Sequence, residues 1–183
     1  VLHAGGKFGG GKSGYRVAGG LHGVGLAVVN ALSKWFVAEV HVDGRLYRQE
    51  YRKGHAVAGL QEVGPTDERG TRQRFMPDPE VFETVEFSPE LILTRLRELA
   101  FLNKGVRITF REVTSGKEAT YQYDGGIVSF VEHLNKTKEA LHPTVIYIEK
   151  TVEDIVVELA MQYNDGYNES VFTFANNVNT QEG

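Results

Sequence analysis

The stretch GGLHGVGLAVVNALS, residues 19–33, decides how the rest of the chain is interpreted. Four glycines fall within its first seven residues, and an apolar run follows them. A glycine-rich turn that opens a helix presents free backbone N–H groups and the positive end of the helix dipole at one place. Because such a place favours phosphate, the stretch predicts a phosphate-binding loop followed by a buried helix over residues 24–34.

A second glycine-rich stretch, GGKFGGGKSG, lies upstream at residues 5–14. It is long enough to fold over a bound ligand, and its two lysines, Lys7 and Lys12, are of a type that can add point charges to a polyphosphate. The spacing Gly-x-x-Gly-x-Gly of the first stretch is neither the P-loop pattern nor the dinucleotide fingerprint. Spacing alone therefore leaves a second interpretation open, a glycine-rich hairpin loop before an ordinary core helix.

Composition restricts the class of protein. The chain has 183 residues, of which 41% are hydrophobic, so it has enough apolar residues for a core. Its net charge of −4 argues against this segment binding DNA directly, since duplex binding depends on Lys and Arg. It has no cysteine, no signal peptide and no apolar run near the roughly 18 residues of a membrane span. We expect a cytoplasmic protein without membrane contact, and both ends of the sequence suggest a fragment of a larger one.

The first half of the chain predicts an antiparallel hairpin and a capped helix. Phe36–Val42 and Arg45–Tyr51 alternate as strands around Asp43-Gly44, a strong hairpin signal. Residues 53–70 are glycine-rich and predict looser structure before a short strand at 71–75. Ser88 and Pro89 are suited to the N-cap and first position of a helix, whose apolar face carries Ile92, Leu96, Leu99 and Ala100.

The second half predicts more strands and one further helix. Alternation over residues 106–110 predicts a strand with a return over 119–123, and Gly125-Gly126 opens a helix carrying Ile127, Phe130, Val131 and Leu134. A charged stretch before Pro143 predicts a domain boundary, giving domains 1–140 and 141–183. Beyond it we predict strands at 144–149, 155–163 and 170–175, the last two joined as a hairpin by residues 164–168. The whole pattern predicts an α+β fold of antiparallel sheet with helices on one face.

Seven motifs carry a resemblance to a known family. They are LHAGGKF (2–8), YRVAGGLHGVG (15–25), VVNALS (28–33), RGT (69–71), RELAFLN (97–103), YDGGI (123–127) and QYND (162–165). Together they resemble the ATPase subunits of bacterial type II topoisomerases, with DNA gyrase B as the best match and the corresponding protein of topoisomerase IV as the near relative. The resemblance implies the later part of a Bergerat-type ATPase sandwich, of the kind found in Hsp90, histidine kinases and MutL. It implies that the start of a transducer domain, similar to the second domain of ribosomal protein S5, follows.

The resemblance also implies a function. ATP with Mg²⁺ would drive dimerisation of gyrase B, and hydrolysis would be coupled to DNA strand passage and negative supercoiling together with the gyrase A protein. Two alternatives remain open on the sequence. The chain is a fragment of the ATPase protein of topoisomerase IV, or it is a structural fragment that binds no nucleotide by itself.

Site residues are implied position by position, mostly around the glycine-rich loop. The nucleotide contacts implied by the family are Lys7, Tyr15, Gly20, Leu21, His22, Gly23, Val24, Gly25 and Thr71. For three of them a structural role stays open: Lys7 as a surface lysine, Tyr15 as a packing aromatic and His22 as a hinge. We expect Lys12 to be a solvated lysine. Arg48 corresponds to a position bordering the pocket for aminocoumarin inhibitors, or is an exposed cross-strand charge.

Departures from the family pattern concern the chemistry. Ala18 stands where the family usually has a serine, so a hydroxyl contact is lost. The general-base glutamate, the magnesium-ligand asparagine and the adenine-binding aspartate of the family lie upstream of the part of the family that these glycine-rich stretches resemble. The transducer lysine of the family lies downstream of the part that this chain covers. Glu39 and Glu50 belong to elements that do not correspond. We therefore assign no catalytic residue and no metal ligand, and predict that the isolated chain does not hydrolyse ATP.

Overall fold

The computed structural model describes residue 19 and residues 22–153 and 155–180. The chain divides into two compact units, with the division between Glu86 and Phe87. The first unit contains one helix and five strands among its described residues: α1 Gly25–Ala31, β1 Ser33–Val42, β2 Arg45–Arg52, β3 His55–Ala56, β4 Gln61–Pro65 and β5 Gly70–Pro77. None of the helices in the described part of the chain has the length and apolarity needed to cross a membrane.

The five strands form one antiparallel sheet in the order β3-β2-β1-β5, with β4 also pairing with β2. Its apolar centre is Phe36 on β1, which is 3% exposed. Phe36 lies directly across from Tyr51 and Phe75, and its ring centroid lies 6.0 and 6.5 Å from theirs. Since direct partners share a face and neighbours alternate, the same register puts Glu39 on the opposite face.

The hairpin prediction is confirmed by the turn between β1 and β2. Asp43 and Gly44 both have positive φ, 51° and 73°, which is the two-residue conformation that matches strand twist. The prediction of looser structure over residues 53–70 missed β3 and β4. These strands are short and without clear alternation, and their pairing with β2 supplies their order.

The helix after the glycine-rich stretch is shorter than predicted, and the following strand begins earlier. Helix α1 ends at Ala31 and β1 starts at Ser33, against predictions of about 34 and 36. The side chain of Ser33 is buried and donates to the Val29 carbonyl at 2.5 Å. The Leu32 and Ser33 carbonyls accept backbone N–H bonds from Asp78 and Lys53. These tertiary bonds draw the chain out of the helix.

The second unit consists of two longer helices and three two-stranded sheets in the described residues. Its elements are α2 Pro89–Leu102, β6 Ile108–Arg111, β7 Glu118–Tyr121, α3 Ile127–Leu134, β8 Ile146–Val152, β9 Ile155–Met161, β10 Phe174–Ala175 and β11 Val178–Asn179. The predicted start of α2 is confirmed, because the Ser88 hydroxyl accepts from the Leu91 N–H and Pro89 is the first helical residue.

Aromatic stacking forms the centre of the second unit. Phe101 on α2 is 1% exposed and stacks on Tyr123 and on Phe130 of α3, at centroid distances of 3.7 and 5.1 Å. Phe130 in turn contacts Phe172 and Phe174. The segment around β10 is therefore held against the helices by side-chain packing.

The prediction of a strand over residues 170–175 was wrong, as was its hairpin link to the preceding strand. Only Phe174 and Ala175 form a strand, paired with β11 across a turn at Asn176 and Asn177. The partner of β9 is β8, which it meets through a turn containing Glu153. The domain boundary predicted before residue 141 lies inside the second unit and stays a prediction.

Candidate functional site

Of the glycine-rich loop at residues 19–25, the structure describes Gly19 and the last four residues, 22–25. His22 is exposed, and Gly23 has φ +64°, a backbone conformation that residues other than glycine rarely adopt. Val24 is the N-cap of α1 and offers no side-chain acceptor, and the first turn of the helix holds no acidic residue. The first N–H groups of α1 thus have no anionic side chain competing for them. Lys7, Lys12, Tyr15, Gly20 and Leu21 lie outside the described residues.

The far end of α1 is fixed to the sheet. Besides the bonds to Leu32 and Ser33, Gly54 in the turn after β2 approaches Ala31 so closely that a Cβ there would lie 3.2 Å from the Ala31 Cα. Gly54 also has φ +81°. The helix is therefore held at its carboxyl end, and its amino end directly follows His22, Gly23 and Val24.

Thr71 lies at the start of β5, opposite Val40, and its side chain is exposed. Gly70 beside it has φ +142°. Both residues line a small open cleft whose other walls include His41 and Glu68. His41 Nδ1 lies 2.9 Å from the Thr66 hydroxyl and 3.6 Å from a Glu68 carboxylate oxygen. The cleft therefore has a polar rim at His41 and Glu68 next to the backbone of Gly70, which carries no side chain.

Arg48 and Thr71 lie on opposite faces of the sheet. Arg48 pairs with Glu39, whereas Thr71 pairs with the next residue of β1, Val40. Sequence reasoning assigned both to the surroundings of one ligand. The register brings their strands together, since β2 and β5 both flank β1, but it directs the two side chains apart.

Glu39 is the centre of a charged group that sequence reasoning missed. Its side chain is 8% exposed, and its carboxylate lies 3.0 Å from Arg74 Nη2, 3.5 Å from Arg48 Nη1 and 3.8 Å from Arg72 Nη1. Arg48 also donates to Glu50 at 2.6 Å. We call Glu39, Arg48, Arg72 and Arg74 the Glu39 cluster. The signal available in the sequence was alternation: Arg72 and Arg74 flank Gln73 in a strand, and so share a face.

A metal site is not formed by the described residues, which contain no group of three or more carboxylate, histidine or cysteine ligands. The donor groups at the start of α1 are N–H groups, which suit an anion. The chemistry of the described loop thus fits phosphate and supplies no ligand for the magnesium that accompanies it.

A second polar group joins α2 to the β8–β9 hairpin. Lys104 donates to Glu158 at 2.8 Å and to the Tyr147 hydroxyl at 3.0 Å. The Tyr147 oxygen lies 2.6 Å from a Glu158 oxygen and 2.7 Å from a Glu149 oxygen, and its single O–H donates to one of these carboxylates at a time. The hydrogen bond to Glu158 raises the pKa of Tyr147 to about 12, and the same acceptor raises the pKa of Lys104. Partial burial opposes ionisation of Glu158, but hydrogen bonds from Lys104 and Tyr147 keep its pKa below the usual value.

Amide side chains join further elements of the second unit. Asn135, after α3, donates to the Gln162 side chain at 3.0 Å and accepts from Asn164 at 2.9 Å. Asn177 donates to Asn103 at 3.1 Å. The QYND motif therefore has a structural role in the second unit, tying the end of β9 to α3.

Comparison with curated proteins finds relatives along the whole chain. Identity is 51% with DNA gyrase B of Halalkalibacterium halodurans, 52% with that of Streptococcus pneumoniae and 47% with that of Thermotoga maritima. Each alignment covers 100% of this chain but only 29%, 28% and 30% of the relative, so the chain spans less than a third of their length. The family described as DNA gyrase B matches residues 126–183.

Solved structures give the same result for the fold. The 43K ATPase domain of Thermus thermophilus gyrase B, solved in complex with an aminocoumarin, matches 86% of this chain with a TM-score of 0.78 and 36% identity. The gyrase B structure from Myxococcus xanthus matches 89% with a TM-score of 0.81 and 29% identity. The match covers 43% and 51% of those chains. The predicted α+β fold of this ATPase class is confirmed, and DNA gyrase B is favoured over its counterpart in topoisomerase IV.

Proposed function

This chain belongs to the DNA gyrase B family, and from that premise we propose that it is part of a region that binds and hydrolyses ATP to drive DNA strand passage and negative supercoiling. The observation that carries the proposal is the identity of about half over the entire chain with proteins of that name. The match to a gyrase ATPase domain supports it at the level of the fold.

The nucleotide phosphates are proposed to bind at the start of α1. The residues that would hold them are Gly20, Leu21, His22, Gly23, Val24 and Gly25, chiefly through backbone N–H groups. The positive φ of Gly23 and the uncapped first turn of α1 support this, since they leave N–H groups available to an anion. Lys7 and Tyr15 are proposed to contribute from the loop upstream. ATP bound there would supply the phosphoanhydride bond whose hydrolysis drives DNA strand passage, and Mg²⁺ would neutralise the charge of the phosphates.

The adenine is proposed to lie by Thr71. Its hydroxyl is exposed and can both donate and accept, and the bare backbone of Gly70 permits close approach of a planar base. Arg48 remains our proposed border of an inhibitor pocket. The Arg48 side chain lies on the face of the sheet opposite to Thr71. We therefore expect a ligand held by Thr71 to contact Arg48 only if the ligand is long enough to reach around the sheet to the opposite face.

Hydrolysis is proposed to need groups outside this chain. We assign no general base here, so the isolated chain is expected to show no magnesium-dependent ATP turnover. In the complete protein that carries this sequence, we propose ATP-dependent dimerisation, partnership with the gyrase A protein, action on DNA and a cytoplasmic location.

ATP-dependent supercoiling of relaxed plasmid by the complete protein, assembled with the gyrase A protein, tests the proposal. We expect activity from the unsubstituted protein and its loss in Gly23→Ala, because alanine disfavours φ +64° and would redirect the N–H groups. Gly59→Ala is the matched control, since Gly59 has open space around it and no positive φ. An unsubstituted protein that, assembled with the gyrase A protein, introduces no supercoils into relaxed plasmid in the presence of ATP would overturn the proposal, as would full activity in Gly23→Ala.

A further inference from the structure

One face of the first unit's sheet concentrates positive charge. By the register of β1, β2 and β5, this face carries Glu39, Arg48, Arg72 and Arg74. Alternation along β2 adds Glu50, and also Arg52, at the end of the strand. Four arginines thus share the face with two glutamates, in a chain whose net charge is −4. We call this set the arginine face.

The arginines are arranged by a buried anion. Glu39 is 8% exposed, and three guanidinium groups lie within 3.8 Å of its carboxylate. A buried carboxylate needs a compensating charge, but a single well-placed guanidinium supplies it. Three guanidiniums therefore exceed what burial of Glu39 requires, and the carboxylate holds them in a fixed array.

The excess charge is open to a ligand. The side chains of Arg72 and Arg74 are 60% and 51% exposed, against 35% for Arg48. A guanidinium carries five N–H donors in a planar fork, so a contact with Glu39 leaves most donors of Arg72 and Arg74 directed elsewhere. Arg52 is exposed, and in the described part of the chain it forms no ion pair. The face therefore presents several unused cationic donors.

Phosphate is the anion that fits these donors. Guanidinium pairs with phosphate through parallel hydrogen bonds, and arginine clusters are the usual means of recognising it. The donors are also spread out. Two residues along a strand span about 6.6 Å, and strands on either side of a central one lie about 9.6 Å apart. An array of this extent matches several phosphates on one polymer better than a single small anion.

We propose that the arginine face of the first unit binds the phosphate backbone of DNA, with Arg72 and Arg74 as its principal contacts. The contact is sequence-independent, since it reaches no base. It revises the expectation drawn from net charge, because a net charge averages over the surface whereas a duplex meets one face of it. The inference rests on the proposed function in one respect, namely that the complete protein acts on DNA.

The salt dependence of DNA binding tests this proposal. Fluorescence anisotropy with a labelled duplex would be measured from low to moderate salt for the complete protein and for Arg72→Gln/Arg74→Gln. Each phosphate contact contributes about 0.9 to the slope of log K against log salt, so we expect the slope to fall by about 2 and the affinity at low salt by roughly tenfold. The matched control is Arg45→Gln. Arg45 is also on β2 and 55% exposed, but it lies on the other face in a one-to-one pair with Glu62, so we expect little change.

Unchanged affinity and slope in a folded Arg72→Gln/Arg74→Gln protein would overturn the proposal. If the double variant fails to fold, Arg72→Gln alone is used, since Arg72 is the more exposed and the more distant from Glu39, and the expected loss of slope is about 1. Arg72→Lys/Arg74→Lys keeps the charge and should keep the slope. ATP-dependent supercoiling, measured in the same preparations, reports separately on the proposed function: its presence together with an unchanged slope refutes only the arginine face.

Discussion

Lys104 and Glu158 are 54 residues apart in the sequence, yet the Lys104 ammonium lies 2.8 Å from a Glu158 carboxylate oxygen. The lysine stem reaches this point by passing over Gly126, where an added Cβ would lie 2.6 Å from Lys104 Cε and 2.7 Å from Cγ. One side chain therefore connects the end of α2, the start of α3 and the β8–β9 hairpin. The two side chains are 44% and 30% exposed, so solvent screens the pair and its contribution is packing and geometry as much as Coulomb attraction.

Gly126→Ala is expected to destabilise the protein by about 1 kcal/mol more than Gly116→Ala. Both glycines have positive φ, 60° and 73°, so both variants include backbone strain. Only Gly126 is covered by Lys104, whereas Gly116 has open space around it. Urea unfolding measures the difference. Gly126 also has ψ −133°, a conformation strained for alanine by itself, so in a Lys104→Ala background the excess should fall by the part that the Lys104 contact causes. An excess of unchanged size there would show that Lys104 does not contribute to it.

Acid should weaken the contact between Lys104 and Glu158. The Glu158 pKa is lower in the folded protein than its ordinary value of 4.5, so its contribution to stability is present above that pH and is lost as the pH falls through the folded value. Glu158→Gln should remove this part of the acid dependence. Urea midpoints between pH 7 and pH 3 test this, and parallel curves for the two proteins would contradict it.

His133 should make stability fall at milder acidity. Burial, followed by the charges of Arg97 and Lys136, lowers its pKa below 6.5. Arg97 Nη1 lies 3.5 Å from His133 Nε2, and the ring lies beside Phe101. As the pH falls, His133 takes up a proton in the unfolded chain at a higher pH than in the folded protein. The free energy of unfolding therefore decreases as the pH falls from 6.5 towards the pKa of His133 in the folded protein.

His133→Gln should flatten this part of the pH profile, and Arg97→Gln should flatten it partly, because one of the two named charges is removed. Thermal melting of each variant between pH 7.5 and pH 5.0 provides the comparison. The interpretation fails if His133→Gln leaves the slope of the melting temperature against pH as steep as in the unsubstituted protein.

Glu39→Gln should cost about 2 kcal/mol of stability, because three guanidiniums lose the anion that holds them. The cost is below that of a fully buried pair, since the arginines are between 35% and 60% exposed. Glu118→Gln, which breaks an exposed pair with Arg111, should cost less than about 0.5 kcal/mol. Equal losses in the two variants, measured by denaturant unfolding, would show that burial of Glu39 has no energetic consequence.

Features set by neighbouring residues could be predicted from the sequence. The Asp43-Gly44 turn follows from the tolerance of these residues for positive φ, and the start of α2 follows from a hydroxyl cap and a proline that fixes φ. The α+β class followed from alternation and helical periodicity, and the family followed from the seven motifs, of which the glycine-rich loop is one.

Features set by distant partners could not be predicted. Strands β3 and β4 owe their order to β2, and the residues around Phe174 are placed by packing on Phe130. The Glu39 cluster depends on the register of three strands, which no local pattern fixes. The same register separates Arg48 from Thr71, two residues that motif comparison alone had associated with a single pocket.

Calorimetric titration of a non-hydrolysable ATP analogue with Mg²⁺ into the complete protein tests the central claim most directly. The account predicts saturable binding in the unsubstituted protein, at least tenfold weaker binding in Gly23→Ala and unchanged binding in Gly59→Ala. A tenfold change corresponds to about 1.4 kcal/mol, within what a redirected set of backbone donors costs. Saturable binding of equal strength in all three proteins, or no binding in any of them, would contradict the assignment of the glycine-rich loop as the phosphate site.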